Sequence, residues 1–164
     1  MKSHRQGFAA VWMALLMLVV VASCGDDDST GTPQSGSIAG TVTFRGTWPA
    51  SGEIYITVFA QYPPTGAPDA FTNPITQNQL GPGRTFNYKV PGLEAGTYKA
   101  VLIGWRAGIG QDQCTGLYWN YPDSVGIDKN CIAEAPGPSA VTVIKNQTAS
   151  GVNMVSDLSL IEIP

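Results

Sequence analysis

Histidine, on which many hydrolytic and zinc sites depend, occurs once in the chain, as His4. Serine and cysteine triads use a histidine base, and most zinc sites include a histidine ligand. The acidic residues Glu53, Glu94 and Glu134 would allow a carboxylate-pair mechanism, but their spacing singles out no pair. We therefore expect a non-enzymatic protein with no catalytic residue and no cofactor.

Three aspartates, Asp112, Asp123 and Asp128, lie in one long segment between predicted strands. Oxygen ligands for calcium usually come from densely alternating acidic and amide residues. These aspartates are spread too widely for that pattern, which favours ordinary solvated loops. The sequence therefore predicts no metal site.

Aromatic residues near the same segment are the candidate ligand-binding residues. Flat rings on a rigid loop can stack on sugar faces, and the rings concerned are Trp105, Tyr118, Trp119 and Tyr121. The alternative is that they fold inward and form a small core, as occurs beneath many long loops. The first interpretation predicts a glycan ligand, and the second predicts a structural role.

A second aromatic pair, Tyr55 and Phe59, lies on the outward side of a predicted strand. An exposed apolar patch of this kind is typical of protein-docking surfaces. The same two rings could instead lie beneath the Pro-, Gly- and Asn-rich loop of residues 62–83.

The amino terminus predicts export. A short head containing Lys2 and Arg5 precedes an apolar run over residues 7–21. The run falls short of the roughly 20 residues of a membrane-spanning helix and is typical of a signal peptide. An uncleaved anchor helix is the alternative interpretation.

The junction Val21-Ala22-Ser23-Cys24 resembles the bacterial lipobox. The resemblance implies cleavage before Cys24 and diacylglyceryl attachment to its thiol, so that the lipid would hold the chain to a membrane. Several acyl chains together bind a bilayer durably, whereas one alone binds marginally. Residues 1–23 would be a signal peptide and residues 24–36 a flexible acidic tether. That acidic run also resembles export signals of some surface lipoproteins, which favours the outer membrane.

The other two cysteines, Cys114 and Cys131, would lie outside the cytoplasm, where disulfides persist. We expect one disulfide that closes a loop of 16 interior residues, worth about 3 kcal/mol. The alternative, a reactive thiol pair, lacks the close C-x-x-C spacing.

The composition predicts an all-β fold and argues against a nucleic-acid partner. Two of the nine Lys and Arg residues lie in the first five positions, whereas all 12 Asp and Glu follow Cys24, and no basic run is present. Apolar residues alternate with a period of two after residue 36. The predicted strands, about seven, cover residues 37–45, 53–61, 86–90, 97–105, 117–119, 140–145 and 152–158. Residues 106–138 would form an irregular insertion closed by the disulfide.

Three segments resemble carboxypeptidase regulatory-like domains. They are residues 38–44 (IAGTVTF), residues 90–98 (VPGLEAGTY) and residues 141–153, which end in SGVN. The resemblance implies one transthyretin-like or immunoglobulin-like β-sandwich over residues 37–164, used as a non-catalytic module. In its central turn we expect the Tyr98 ring to enter the core and its hydroxyl to reach a loop partner.

These observations together predict a lipid-anchored module of the bacterial cell envelope with structural or protein-docking roles. The expected partners are the membrane, through the lipid, and another envelope protein. The alternative is a carbohydrate-binding surface lipoprotein that uses the aromatic residues of the 105–121 region. Burial of Trp105 and Trp119 would remove the basis of that alternative.

Overall fold

The computed structural model describes residues 34–108, 110, 112–121, 123–128 and 130–162. The predicted signal peptide, the predicted lipidation site Cys24 and most of the predicted tether lie outside these residues. The described part is all-β, as predicted, and its only helical segments are three short 3-10 turns. Its strands are β1 (Gly36–Arg45), β2 (Glu53–Phe59), β3 (Ala70–Phe71), β4 (Thr85–Leu93), β5 (Gly96–Tyr98), β6 (Ala100–Arg106), β7 (Asp112–Leu117), β8 (Val141–Val143), β9 (Thr148–Ala149) and β10 (Met154–Asp157). The 3-10 turns are Gln77–Gln79, Pro82–Arg84 and Leu158–Leu160.

The strands form two four-stranded sheets and one two-stranded ribbon. In the first sheet the order is β10-β1-β4, and β9 also pairs with β1. In the second sheet the order is β3-β2-β6-β7. Strands β5 and β8 form the ribbon. Pairing is antiparallel except that β1 runs parallel to both β9 and β10.

One buried cluster contains side chains from both four-stranded sheets. Strict alternation places every second residue of β2 in this cluster, so Ile54, Ile56 and Val58 are buried as predicted. Each such side chain contributes about 1.5–3 kcal/mol when fully buried. The other main members are Ile38, Val42, Phe44 and Val90 from the first sheet and Val101, Ile103 and Trp105 from the second.

A second, smaller cluster lies on the opposite face of the second sheet. It joins Leu102 of β6 and Leu117 of β7 to Ile127 of the predicted insertion. The insertion therefore covers part of this outer face with a core of its own. It is also less irregular than predicted, because it contains β7 where we expected only a short strand at residues 117–119.

The predicted strand over residues 97–105 is two strands in different sheets. Strand β5 pairs with β8, whereas β6 pairs with β2 and β7. The exposed Lys99 separates them, and its backbone N–H donates to the carbonyl of Phe59 at 2.9 Å. Because Tyr98, Ala100 and Leu102 are spaced two residues apart, the alternating apolar pattern continues across the change of partner. The prediction that β6 is central in its sheet is confirmed.

The turn before β5 is held by Tyr98. Its ring is buried, and its hydroxyl donates to the carbonyl oxygen of Glu94 at 3.0 Å. Burial of the ring raises the pKa of the Tyr98 hydroxyl. The expected core ring and loop partner are therefore both present, while the transthyretin-like topology stays a prediction.

Candidate functional site

The four aromatic residues of the 105–121 region do not form a common surface. Trp105 is only 1% exposed and belongs to the core between the sheets. Its indole N–H donates to the carbonyl oxygen of Ser51 at 2.9 Å, so its one polar group is satisfied inside the protein. Tyr118 is half-buried and packs against the same core.

Trp119 and Tyr121 do meet, with ring centroids 5.1 Å apart in an edge-on arrangement. Trp119 is 6% exposed, and its indole N–H donates to the carbonyl oxygen of Ser124 at 3.1 Å. Its ring lies over Gly126, where a Cβ atom would come within 2.6 Å of the indole. Only Tyr121, at 56% exposure, offers a ring to solvent. With Trp105 and Trp119 both buried, the sugar-binding alternative loses the observation on which it depended.

The predicted disulfide between Cys114 and Cys131 is present, with Cα atoms 5.2 Å apart. It joins β7 to a later part of the same insertion. The Tyr62 hydroxyl adds a second connection, since it donates to the carbonyl oxygen of Cys131 at 3.2 Å and accepts from the N–H of Ala133 at 2.7 Å. These contacts tie the loop after β2 to the insertion.

Beside the insertion, the outer face of the second sheet is open and forms a groove of about 560 Å³, here called the outer groove. Its volume lies within the range of ligand-binding pockets. The loop that follows β2 forms one wall, and the disulfide lies at the other. The residues that line it are Tyr55, Thr57, Phe59, Pro64, Gly66, Ala67, Pro68, Phe71, Leu102, Gly104, Trp105, Arg106, Asp112, Gln113, Cys114 and Cys131.

The aromatic wall of the outer groove consists of Tyr55 and Phe59 on β2 and Phe71 on β3. The rings of Tyr55 and Phe71 meet edge-on with centroids 6.2 Å apart. Phe71 is 61% exposed, so apolar surface continues from the groove onto the rim. The outward patch predicted from Tyr55 and Phe59 therefore lines an open groove beside the loop of residues 62–83.

A glycine, Gly104, lies on the groove floor in the middle of the central strand β6. Glycine weakens a strand interior and often marks a close approach of ligand or backbone. Two other strand glycines, Gly40 and Gly116, are required by packing, since a Cβ atom on either would overlap the backbone of a neighbouring segment. A Cβ atom on Gly104 would meet only the carbonyl oxygen of Gln113, at an ordinary 3.7 Å. Gly104 thus leaves space in the groove that no described side chain fills.

Charged residues cross one end of the outer groove in a row. Glu53 on β2 faces Arg106 on β6, which in turn faces Asp112 on β7. The Arg106 Nε atom lies 2.5 Å from Asp112 Oδ1, and its Nη2 atom lies 3.3 Å from Oδ2. The guanidinium carbon also lies 6.0 Å from the centroid of the Tyr55 ring. The row holds two acids and one base, so this end of the groove is negative.

Hydrogen bonding raises the pKa of Arg106 in this row and of Tyr55 beside it. The hydrogen bond to Asp112, reinforced by its charge, raises the pKa of Arg106. The Tyr55 hydroxyl donates to a carboxylate oxygen of Glu53, and this bond raises the pKa of Tyr55. Glu53 itself makes no ion pair within the described part of the chain. Its charge is therefore available to a partner.

No group of three or more metal-ligating side chains occurs among the described residues. Within the same residues, no helix is long and apolar enough to cross a membrane.

Comparisons with protein-family models, with curated proteins and with solved structures return no match. The resemblance to carboxypeptidase regulatory-like domains therefore stays a prediction.

Sequence reasoning did not single out Phe71, Gly104 and Arg106 as groove residues, and it considered Asp112 only as a possible metal ligand. Phe71 lay in a predicted loop, and a two-residue strand has no periodicity to detect. Gly104 did carry a signal, because a glycine inside an apolar strand indicates a bulge or a close approach. Arg106 and Asp112 are brought together by the pairing of β6 with β7, which sequence spacing alone does not reveal.

Proposed function

We propose that this chain is a lipid-anchored, non-catalytic module of the bacterial cell envelope that docks another envelope protein. The docking site would be the outer groove, and its occupant would be an extended segment of the partner. The observation that carries the proposal is the open space over Gly104, bordered by aromatic rings and closed by no described side chain.

The shape of the apolar surface favours a protein segment over a small molecule. Phe71 projects at the rim with 61% of its surface exposed, so a small ligand inside the groove would leave its ring uncovered. A polypeptide that passes along β2 would fill the space over Gly104 and also cover this ring. Exposed aromatic side chains of this kind commonly anchor protein–protein contacts.

The anchoring half of the proposal rests on the amino-terminal sequence. The lipobox-like residues 21–24 follow a basic head and an apolar run. A lipid on Cys24, followed by an acidic and flexible tether, would place the all-β domain at a membrane surface while leaving its groove accessible. Cys24→Ser should move the chain from the membrane fraction to the soluble fraction and abolish labelling with radioactive palmitate.

Photo-crosslinking in the producing cell tests the docking half. p-Benzoylphenylalanine replaces Phe71 at the groove rim or, as the matched control, Tyr121, an aromatic of similar exposure outside the groove. We expect a discrete protein adduct from position 71, none from position 121, and loss of the adduct when Gly104→Leu fills the groove. Equal adducts from both positions, or an adduct unaffected by Gly104→Leu, would contradict the proposal.

A further inference from the structure

We infer that the segment held by the outer groove carries an apolar side chain and, two residues away, a lysine or arginine. This inference rests on the proposed docking function and specifies the chemistry of the partner. It combines the empty space over Gly104 with the negative row at the end of the groove.

The apolar half of the motif follows from the floor and walls. Gly104 leaves room above β6, and Tyr55 lies directly opposite it in the β2–β6 register. This space opens onto the part of the groove that Leu102 and Phe59 line farther along the two strands. An aliphatic or aromatic side chain seated there would be surrounded by apolar atoms, which is the usual environment of an interface anchor.

The basic half follows from the charges. Asp112 is already paired with Arg106 through two hydrogen bonds. Glu53 accepts the Tyr55 hydroxyl but makes no ion pair in the described part of the chain. A cationic side chain of the partner would therefore meet a carboxylate that forms no ion pair among the described residues, whereas an acidic side chain would be repelled.

The spacing of two follows from strand geometry. Glu53 lies two residues before Tyr55 on β2, and Arg106 lies two residues after Gly104 on β6. Two residues of a strand span about 6.6 Å. In an extended partner segment that runs along these strands, residues i and i+2 face the same side and are separated by the same distance. One side chain would reach the space over Gly104 while the other reaches Glu53.

A random peptide library displayed on phage, selected against the purified full-length chain in mild detergent, tests the motif. Parallel selections use Gly104→Leu, Phe71→Ala and Glu53→Gln. Phe71→Ala keeps the test informative should Gly104→Leu fold poorly, and Ile144→Ala is the control, since Ile144 is 53% exposed and lies outside the groove.

We expect selection on the wild type to enrich peptides with an apolar residue two positions from Lys or Arg. This enrichment should be at least tenfold greater than on Gly104→Leu or Phe71→Ala, and selection on Ile144→Ala should equal selection on the wild type. On Glu53→Gln the apolar preference should remain and the basic preference should vanish. Groove-dependent peptides without the basic residue would overturn this inference and leave the docking function standing. Enrichment that is the same on Gly104→Leu and Phe71→Ala as on the wild type, or absent throughout, would overturn both.

Discussion

Gly104 lies directly opposite Tyr55 in the antiparallel pairing of β2 and β6. The residue without a side chain is therefore next to the aromatic wall of the outer groove. The pairing explains why the groove opens at this point of the sheet. Neither packing nor backbone conformation requires glycine here, since a Cβ atom would have its nearest contact at 3.7 Å and no positive φ is involved.

Alanine at Gly104 should therefore be tolerated or slightly stabilising, by about 0.5 kcal/mol, because glycine in a strand costs conformational entropy. Gly116→Ala is the contrasting variant, since its Cβ atom would overlap the Val155 carbonyl oxygen. We expect it to lower the free energy of unfolding by about 1–3 kcal/mol. Urea denaturation of both variants measures the difference. A loss at Gly104 as large as that at Gly116 would mean that packing, and not ligand space, explains the glycine.

Replacement of both Cys114 and Cys131 by serine should lower the free energy of unfolding by about 3 kcal/mol. The disulfide links residues that are 17 positions apart, and without it the unfolded chain gains conformational entropy. Thermal unfolding with and without reductant provides the measurement. The wild-type protein in reductant should approach the double variant. Unchanged unfolding in both cases would show that the Tyr62 contacts hold the insertion without the disulfide.

Trp119→Ala should destabilise the protein by about 3–5 kcal/mol, because it removes a large buried side chain packed over Gly126. Tyr121→Ala, which truncates the neighbouring exposed ring, should change stability by less than about 0.5 kcal/mol. Denaturation of the two variants compares the buried ring with the exposed one. Comparable small effects would indicate that Trp119 is not part of a core and would revive the sugar-binding alternative.

The periodic features of the fold could be predicted because they are local. The burial of Ile54, Ile56 and Val58 follows from alternation along one strand, and the disulfide follows from counting the cysteines of a chain predicted to be exported. The break at Lys99 could not be predicted, because the alternation of Tyr98, Ala100 and Leu102 continues through it while the pairing partner changes.

Exposure of the aromatic rings was the least predictable feature. Trp105 and Phe71 are both large apolar residues, yet Trp105 is 1% exposed and Phe71 is 61% exposed. The difference arises from which sheet face each ring occupies and from the coverage supplied by distant segments. Sequence patterns indicated both the 105–121 region and the pair Tyr55 and Phe59, whereas the open aromatic surface lies only at the second of these, on β2 and β3.

Stability should fall in alkaline solution through Tyr88. Its ring is buried, its hydroxyl donates to the carbonyl oxygen of Val152 at 2.7 Å, and burial raises its pKa well above the usual value near 10. The folded state therefore keeps a proton that the unfolded state releases. This contribution is fully present below about pH 10 and is lost as the pH rises further, by about 1.4 kcal/mol per unit.

Urea denaturation between pH 9 and pH 11.5 measures this slope. Tyr88→Phe should be less stable at neutral pH, because the buried Val152 carbonyl loses its donor, and should show a shallower alkaline decline. Tyr121→Phe, which removes a hydroxyl from an exposed ring, is the control and should keep the wild-type decline. An identical slope in all three proteins would assign the alkaline loss to other groups.

The most direct test of the proposed docking at the outer groove is hydroxyl-radical footprinting of the native protein in isolated cell envelopes, compared with the purified full-length chain. Phe71 and Tyr121 are a matched pair of aromatic side chains, at 61% and 56% exposure, of which only Phe71 lines the groove. We predict that oxidation of Phe71 is reduced at least threefold in envelopes while oxidation of Tyr121 is unchanged. Equal oxidation of Phe71 in the two preparations would contradict the claim that the groove holds a partner.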